Sequence, residues 1–306
     1  MNLNCKINNV RNIISDDIND IIKTQDILVI SDNNNERSKY FLNYITPSTY
    51  PKLCIFGGGG NDTVSETFIG SSVYDICKFN EVVQKIASDI EELKITVDVS
   101  CLNRNIIAEI FAKLSFLKVK TVKLTVLYTL ACYTSPPSGE MPMNELVEPV
   151  HPRFSGWPEN PEYPVTSIIG LGYEKDKAIG VAEYLESSKN FLFIPVSSES
   201  EYLDEVLKHN EILIESTPDR NLLHYQLENQ SVVIHQLNSL TNGVKANSKP
   251  VFLPFGPKIF FTSALLVALA NKEVSVWYVS GEECNNGRDE KAAKIFGYSC
   301  EITPSL

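Results

Sequence analysis

The first part of the chain alternates short apolar runs with amphipathic segments. Runs rich in β-branched residues at 26–30 (DILVI), 95–100 (ITVDVS) and 121–131 (TVKLTVLYTLA) predict strands. Apolar positions with helical spacing follow the first run in ERSKYFLNYI (36–45) and the second in NRNIIAEIFAKLSFL (103–117). Strands that alternate with helices of roughly 10–15 residues predict βαβ units and a parallel sheet.

The same alternation begins again in the second half of the chain. VTSIIGLG (165–172), NFLFIPV (190–196) and KPVFLPF (249–255) predict strands. GPKIFFTSALLVALA (256–270) predicts a helix that leads into a further strand, VSVWYVSG (274–281). The predicted fold class is therefore α/β, with two pseudo-repeated Rossmann-like halves and mainly parallel sheets.

A proline-rich segment separates the two patterns. Eight prolines fall between Cys132 and Pro164, and a loop of this length is either a linker or a functional lid. Because it also carries aromatic residues such as Trp157, we predict that it packs against one half, where it could cover a site. The C-terminal extension is predicted to hold one short helix and one edge strand. The predicted divisions are a first Rossmann-like half at 1–135, a proline-rich connector or lid at 136–164, and a second half with the extension at 165–306.

Composition and charge narrow the range of partners. The chain has 306 residues and a formal net charge of −11, and it lacks a long basic run. This disfavours a broad nucleic-acid surface but leaves room for a local anion pocket. No apolar run reaches the ~18 residues of a membrane span, and no secretory signal pattern opens the chain, so we predict a cytoplasmic protein without a membrane partner. Seven scattered cysteines predict reduced thiols, and four histidines without ligand spacing predict no metal site.

One motif recurs at the end of a predicted strand in each half. DVSCLNR (98–104) precedes one predicted helix and FLPFGPK (252–258) precedes another. Arg104 and Lys258 therefore fall six positions after the residue that ends the strand, at the opening turn of the following helix. We interpret the match as a sign of internal duplication.

The first strands of the two halves also correspond. ILVISDNNNERS places Glu36 and Arg37 where a helix starts, and IIGLGYEKDKA places Glu174 and a following lysine at the matching point. Acidic residues are common in a first helical turn without any function, so Glu36 and Glu174 are equally well explained as plain helix-start residues.

These positions predict contacts with a phosphate-like anion. A helix N-terminus offers unpaired N–H groups and the positive end of the helix dipole, and a neighbouring cation adds a full charge. Arg37, Arg104 and Lys258 are therefore predicted to contact phosphate. Gly256 would let the backbone approach the ligand closely, and Ser100 lies beside the same turn. The alternative is that these residues only cap helices and solvate loop ends, since serine is a common capping residue.

Two carboxylates at strand ends support more than one hypothesis. Asp98 or Glu174 would contact ribose or base in a binding protein. In an enzyme, either one would act as a general base or nucleophile on a nucleotide or glycosidic bond. A buried Asp98 satisfied by helix N–H groups explains its position equally well. The glycine run at 57–60 follows a strand and is interpreted as a ligand-facing loop or a plain turn.

The segments LPFGPKIF and DVSCLNR resemble the CRISPR-associated Rossmann-fold (CARF) and SAVED group of nucleotide-sensing modules. The resemblance implies a Rossmann-like fold in which polar and glycine-containing loops after the first and fourth strands cradle an oligonucleotide or a cyclic nucleotide. The strand-end pattern ERS, DVSxxxR and GYExxxA is also similar to that of uncharacterised bacterial proteins found near defence genes. These resemblances imply a role in antiphage defence.

Three functional hypotheses follow from the sequence. The leading one is a regulatory or sensor protein that binds a nucleotide-like anion, as a component of a bacterial antiphage system. The second is a hydrolase or transferase that uses the same site, and the third is a structural subunit of a larger assembly, with a protein partner or a second copy of the chain. The sequence identifies no cofactor.

Overall fold

The computed structural model describes residues 4–31, 35–45, 53–57, 72–134, 144–174, 176–281 and 291–305. The chain divides into two compact units. The first unit comprises Met1–Cys132 together with Gly287–Leu306, and the second comprises Tyr133–Asn286. Each unit is built around one sheet.

The secondary structure follows the alternation that the sequence predicts. The described strands are β1 (Lys6–Ile13), β2 (Ile27–Ser31), β3 (Leu53–Gly57), β4 (Ser72–Asp75), β5 (Glu92–Asp98), β6 (Thr121–Ala131), β7 (Asn144–Pro149), β8 (Val165–Gly170), β9 (Lys189–Val196), β10 (Leu222–Gln226), β11 (Lys249–Pro254), β12 (Ser275–Gly281) and β13 (Ala292–Thr303). The described α-helices are α1 (Ile18–Lys23), α2 (Glu36–Lys39), α3 (Phe79–Ala87), α4 (Arg104–Leu114), α5 (Lys177–Tyr184), α6 (Glu201–His209), α7 (Glu211–Ser216), α8 (Gln230–Val244) and α9 (Lys258–Ala270). Short 3-10 turns lie at Ser15–Asp17, Tyr40–Tyr44, Ile76–Lys78, Pro152–Phe154 and Asp219–Asn221.

The parallel part of the first sheet has the strand order of a Rossmann fold. The whole sheet runs β1-β13-β6-β5-β2-β3-β4, and the five strands from β6 to β4 are parallel. Read from β4 to β6, the order along the chain is third, second, first, fourth, fifth, which is the doubly wound arrangement. Strand β13 is antiparallel to β6, and β1 is antiparallel to β13.

The second sheet repeats this strand order. It runs β10-β9-β8-β11-β12-β7, and all of its strands are parallel except β7, which pairs antiparallel with β12. Read from β10 to β12, the order is again third, second, first, fourth, fifth. The predicted fold class, α/β with two Rossmann-like halves and mainly parallel sheets, is confirmed. The internal duplication stays a prediction, because a shared strand order alone does not establish it.

The C-terminal extension lies in a different place from the one that the sequence suggests. Strand β13 pairs with β6 over Ala292–Ile302 and with β1 on its other side, so it is an interior strand of the first sheet and not an edge strand of the second half. The four consecutive buried residues Ile295–Tyr298 agree with this position, because both faces of an interior strand are covered and its backbone groups pair on both sides.

The proline-rich connector contributes structure to the second unit. Its described part contains β7 and the buried ring of Phe154, and the Trp157 N–H donates to the Lys272 carbonyl at 2.7 Å. The segment 136–164 is therefore partly an edge strand of the second sheet, and its role as a lid stays a prediction.

The burial of β2 and α9 shows how the apolar segments of the sequence form the cores of the two units. All five residues of β2 (ILVIS) are buried, as expected where helices cover both faces of a parallel sheet. Helix α9 buries eleven of its thirteen residues, so it lies inside the second unit and not at its surface. In the part of the chain that the structure describes, no helix has the length and apolar character needed to cross a membrane.

Candidate functional site

Each sheet contains one point where its strand order reverses direction. In the first unit this switch point lies between β2 and β5, and in the second it lies between β8 and β11. In doubly wound folds the loops that leave the two strands at such a point run to opposite faces of the sheet, and ligands bind at the strand carboxyl ends there. Of the site residues predicted from the sequence, Asp98 is the last residue of β5, and the others lie in these loops or in the first turns of the helices that follow them.

Asp98 and Ser100 form one buried hydrogen-bond network in the first unit. Asp98 ends β5 and is 2% exposed, and its Oδ1 accepts the backbone N–H of Ser100 at 2.9 Å and a short hydrogen bond from the Ser100 hydroxyl. The Ser100 Oγ accepts the N–H of Thr129 at 2.8 Å. The network therefore ties the loop after β5 to the end of β6.

Ser100 is not the N-cap of the following helix. That position belongs to Asn103, whose Oδ1 accepts the N–H of Ile106 at 2.8 Å. The capping role proposed for Ser100 in the sequence is wrong, because its hydroxyl is directed to the Asp98 carboxylate and the Thr129 backbone. The cap was recognisable as an asparagine directly before the first helical residue.

Arg37 reaches the same backbone from the other side of the switch point. Its Nε donates to the Thr129 carbonyl at 2.8 Å, and its guanidinium lies 5.4 Å from the centre of the Tyr128 ring. Thr129 is therefore held through its N–H by Ser100 and through its carbonyl by Arg37. The contact between Arg37 and Thr129 joins residues 92 positions apart, and no pattern in the sequence indicates it.

Glu36 is exposed and holds the start of the C-terminal strand. Its Oε1 accepts the N–H of Ala292, the first residue of β13, at 3.3 Å. This contact gives Glu36 a structural role at the end of the first sheet. A role in ligand binding stays a prediction.

The switch-point loops of the second unit touch each other. The N–H of Gly256 donates to the Gly170 carbonyl at 3.0 Å. A Cβ on Gly256 would lie 2.5 Å from the Leu171 carbonyl oxygen, and one on Gly172 would lie 2.7 Å from the Phe255 carbonyl oxygen. The close approach that Gly256 permits is therefore an approach to the neighbouring loop, which gives this glycine a packing reason independent of any ligand.

Replacing Gly256 with alanine should lower the free energy of unfolding by about 2 kcal/mol, since the new methyl group competes for space with a backbone carbonyl. Gly180→Ala is the matched control. Position 180 lies in α5 with no atom within 4 Å of the added Cβ, so this change should stabilise by about 0.5–1 kcal/mol. Urea denaturation of both variants measures the difference, and equal midpoints would contradict the packing role.

A cation begins each helix that follows the fourth parallel strand. Arg104 is the first residue of the eleven-residue α4 and Lys258 is the first residue of the thirteen-residue α9, and both are partly buried. Each lies in the opening turn of its helix, as the sequence predicts, but the predicted spacing of six positions from the strand end holds only for Arg104 after Asp98, because β11 ends at Pro254, four positions before Lys258. A cation at a helix N-terminus opposes the dipole by roughly 0.3–1 kcal/mol, so helix stability does not explain the presence of a cation at either position.

A second cation of the second unit escaped the sequence prediction. Lys177 begins α5, its side chain is 16% exposed, and its Nζ lies 2.8 Å from the Glu174 Oε2 and 5.9 Å from the Phe255 ring centre. The sequence pointed to the lysine at 175, which lies outside the described residues. Glu174 is therefore held in an ion pair with Lys177, two residues before the N-cap Asp176.

Two further expectations from the sequence concern the absence of a metal site and the glycine run at 57–60. Within the described ranges no group of three or more His, Cys, Asp or Glu side chains is arranged to hold a metal ion. Of the glycine run at 57–60, only Gly57, the last residue of β3, is described, and the remainder lies outside the described residues.

Comparison of the chain with protein-family models, with curated proteins and with solved structures finds no match in any of the three. The fold by itself defines the class, an α/β protein of two Rossmann-like units whose polar strand-end residues gather at the switch points.

Proposed function

We propose that the protein is a regulatory or sensor protein that binds a nucleotide-like anion at the carboxyl ends of its parallel strands. One observation carries the proposal: Arg104 and Lys258 begin the helices after the fourth strand of two sheets that share one strand order. A first helical turn has N–H groups without intrahelical acceptors, and a phosphate accepts them together with a hydrogen bond from the adjacent cation.

The overall charge makes a local site necessary. A formal net charge of −11 produces a field that opposes an anionic ligand at long range. Binding must therefore depend on groups close to the ligand, and the two helix N-termini with their cations are such groups.

The carboxylates favour binding over catalysis. The Asp98 Oδ1 accepts two hydrogen bonds from Ser100, and Glu174 is paired with Lys177, so both carboxylates already hold neighbouring groups in place. A general base needs a lone pair directed at its substrate, and these contacts support positioning roles instead. The enzyme hypothesis uses the same residues and remains the second candidate.

The proposed biological setting is antiphage defence in bacteria. Its support is the resemblance of LPFGPKIF and DVSCLNR to CARF and SAVED modules, which sense nucleotides at the loops after the first and fourth strands. Arg104 and Lys258 are the first residues of the helices that follow the fourth strand of their units. A ligand-binding subunit of a larger assembly fits the same proposal.

The test compares small molecules that co-purify with the protein. Denaturing extraction and mass spectrometry of the wild type should release a phosphorylated compound, and the Arg104→Gln/Lys258→Gln variant should hold at least tenfold less of it, since each charge-assisted contact is worth about 1.5–3 kcal/mol. The matched control is Arg220→Gln/Lys208→Gln, which removes the same two charges at exposed positions. If both variants lose the ligand, the net charge of the protein and not the predicted site would account for binding. If the wild type releases no ligand and no nucleotide in a panel raises its melting temperature, the structural-subunit hypothesis would be favoured.

A further inference from the structure

Three tyrosine rings from distant segments meet in the second unit. Tyr173 lies in the loop after β8, Tyr202 lies near the start of α6 after β9, and Tyr133 comes from the segment before β7. The Tyr173 and Tyr202 rings are stacked, with centroids 6.3 Å apart and planes 24° apart. Tyr133 packs its ring edge to face with Tyr202 at 5.2 Å. We call these three residues the tyrosine cluster.

Polar contacts hold the loops of the tyrosine cluster in place. Asn210 is 5% exposed, and its Nδ2 donates to the Gly172 carbonyl at 2.7 Å, directly before Tyr173. The Glu199 Oε2 accepts the N–H of Tyr133 at 3.0 Å, and the Glu199 carbonyl accepts the N–H of Tyr202 at 3.3 Å. The rings therefore lie on a preorganised surface, which lowers the entropic cost of binding a ligand there.

The exposure of Tyr173 is unlike that of the aromatic core of the same unit. Phe193 and Phe260 are 0% and 1% exposed, whereas Tyr173 is 39% exposed. A tyrosine that served only the core would be buried in the same way. An accessible ring in a fixed orientation offers a planar ligand a stacking surface, and such stacking tolerates different bases because each of them has a π-face.

The loop that carries Tyr173 contacts the loop that precedes the proposed anion site. Gly172 lies against the Phe255 carbonyl, which places Tyr173 beside the loop that leads through Gly256 into Lys258. Tyr173 follows Gly172 by one residue, and Lys258 follows Phe255 by three residues. A nucleoside monophosphate carries both a phosphate and a planar base.

We propose that Tyr173 stacks on the planar base of a nucleotide whose phosphate is bound at Lys258, an inference that rests on the function proposed above. Tyr202 supports the Tyr173 ring from behind, and Asn210 acts as a positioning residue through the Gly172 carbonyl. The second unit thereby distinguishes a nucleotide from a phosphate that lacks a base.

The experiment measures binding of four nucleoside monophosphates (AMP, GMP, CMP and UMP) and of ribose 5-phosphate, which lacks the base, by isothermal titration calorimetry on the full chain. At least one nucleotide should bind wild type about tenfold more tightly than ribose 5-phosphate does, and Tyr173→Ala should abolish this preference. Tyr173→Phe retains the ring and should retain the preference. Tyr184→Ala removes a 65% exposed tyrosine on α5 and should change nothing.

The variant Lys258→Gln separates the two proposals. It should weaken nucleotide and ribose 5-phosphate alike, because both carry the phosphate. If it does so while Tyr173→Ala leaves the base preference intact, the stacking role is overturned and the proposed anion site stands. If wild type binds none of the five probes, both proposals fail.

Discussion

Gly297→Ala should destabilise the first unit more than any other single substitution considered above. Gly297 lies in β13 opposite Leu127 of β6, and an alanine methyl group there would collide with the Val126 carbonyl oxygen. The strand cannot shift away, because it is also paired with β1 through Ile13. Overpacking in a core typically costs 1–3 kcal/mol. A clash with backbone in an interior strand should reach about 3 kcal/mol or more, a large part of the 5–15 kcal/mol stability of a typical domain.

The measurement combines urea denaturation with hydrogen exchange followed by mass spectrometry. Gly297→Ala should lower the unfolding midpoint and remove protection from peptides of β6 and β13, while α9 in the second unit stays protected. Gly243→Ala is the matched control, since position 243 is exposed in α8 with no atom within 4 Å of the added Cβ. If Gly297→Ala leaves the urea unfolding midpoint unchanged, the pairing of β13 with β6 and β1 described above is wrong.

The sequence predicts most of the parallel strands of the two sheets, but not the parallel edge strands β4 and β10, and it predicts little of the antiparallel part. The central strands are continuous apolar runs, so their character can be read locally, as the buried ILVIS of β2 illustrates. Strand β1 (KINNVRNI) has only one fully buried residue and carries no strong pattern. The residues of β13 that pair with it lie more than 280 positions later along the chain, and such a pairing is decided by tertiary contacts that no local pattern contains.

Helix lengths were overestimated where aromatic spacing suggested a longer helix. ERSKYFLNYI predicts one helix over 36–45, but α2 ends at Lys39 and the chain continues as the 3-10 turn Tyr40–Tyr44. The rings there pack against each other, with Tyr40 and Tyr44 at 5.7 Å. Spacings of three and four residues suit both kinds of helix over so short a segment, so the apolar pattern could not distinguish them.

The candidate site was predictable in position but not in its contacts. Strand ends of a parallel sheet meet at one edge, so locating the strands also located Asp98, Arg104 and Lys258. The links of Ser100 and Arg37 to the Thr129 backbone depend on how β6 lies beside β5, and a backbone acceptor has no signature in the sequence. The sequence does not indicate the tyrosine cluster either, because its members come from three separate segments that only the tertiary fold brings together.

Asp98→Ala should lower the free energy of unfolding by about 3 kcal/mol, since it leaves the buried N–H of Ser100 without its carboxylate acceptor and removes a charge-assisted hydrogen bond. Asp98→Asn retains an acceptor oxygen of the same shape and should cost about 1 kcal/mol, as a neutral hydrogen bond replaces the charged one. Chemical denaturation of the two variants measures the difference.

A double-mutant cycle shows whether Asp98 acts through Ser100. Ser100→Ala removes the hydroxyl that joins the Asp98 carboxylate to the Thr129 N–H, so each single change already breaks the link between β5 and β6. The double variant should therefore lose less stability than the sum of the two, by about 1–2 kcal/mol. Additive losses would mean that the two residues act separately. The link between β5 and β6 would then not explain the position of Asp98, and the role toward a ligand or a substrate that the binding and enzyme hypotheses both assign to it would gain support.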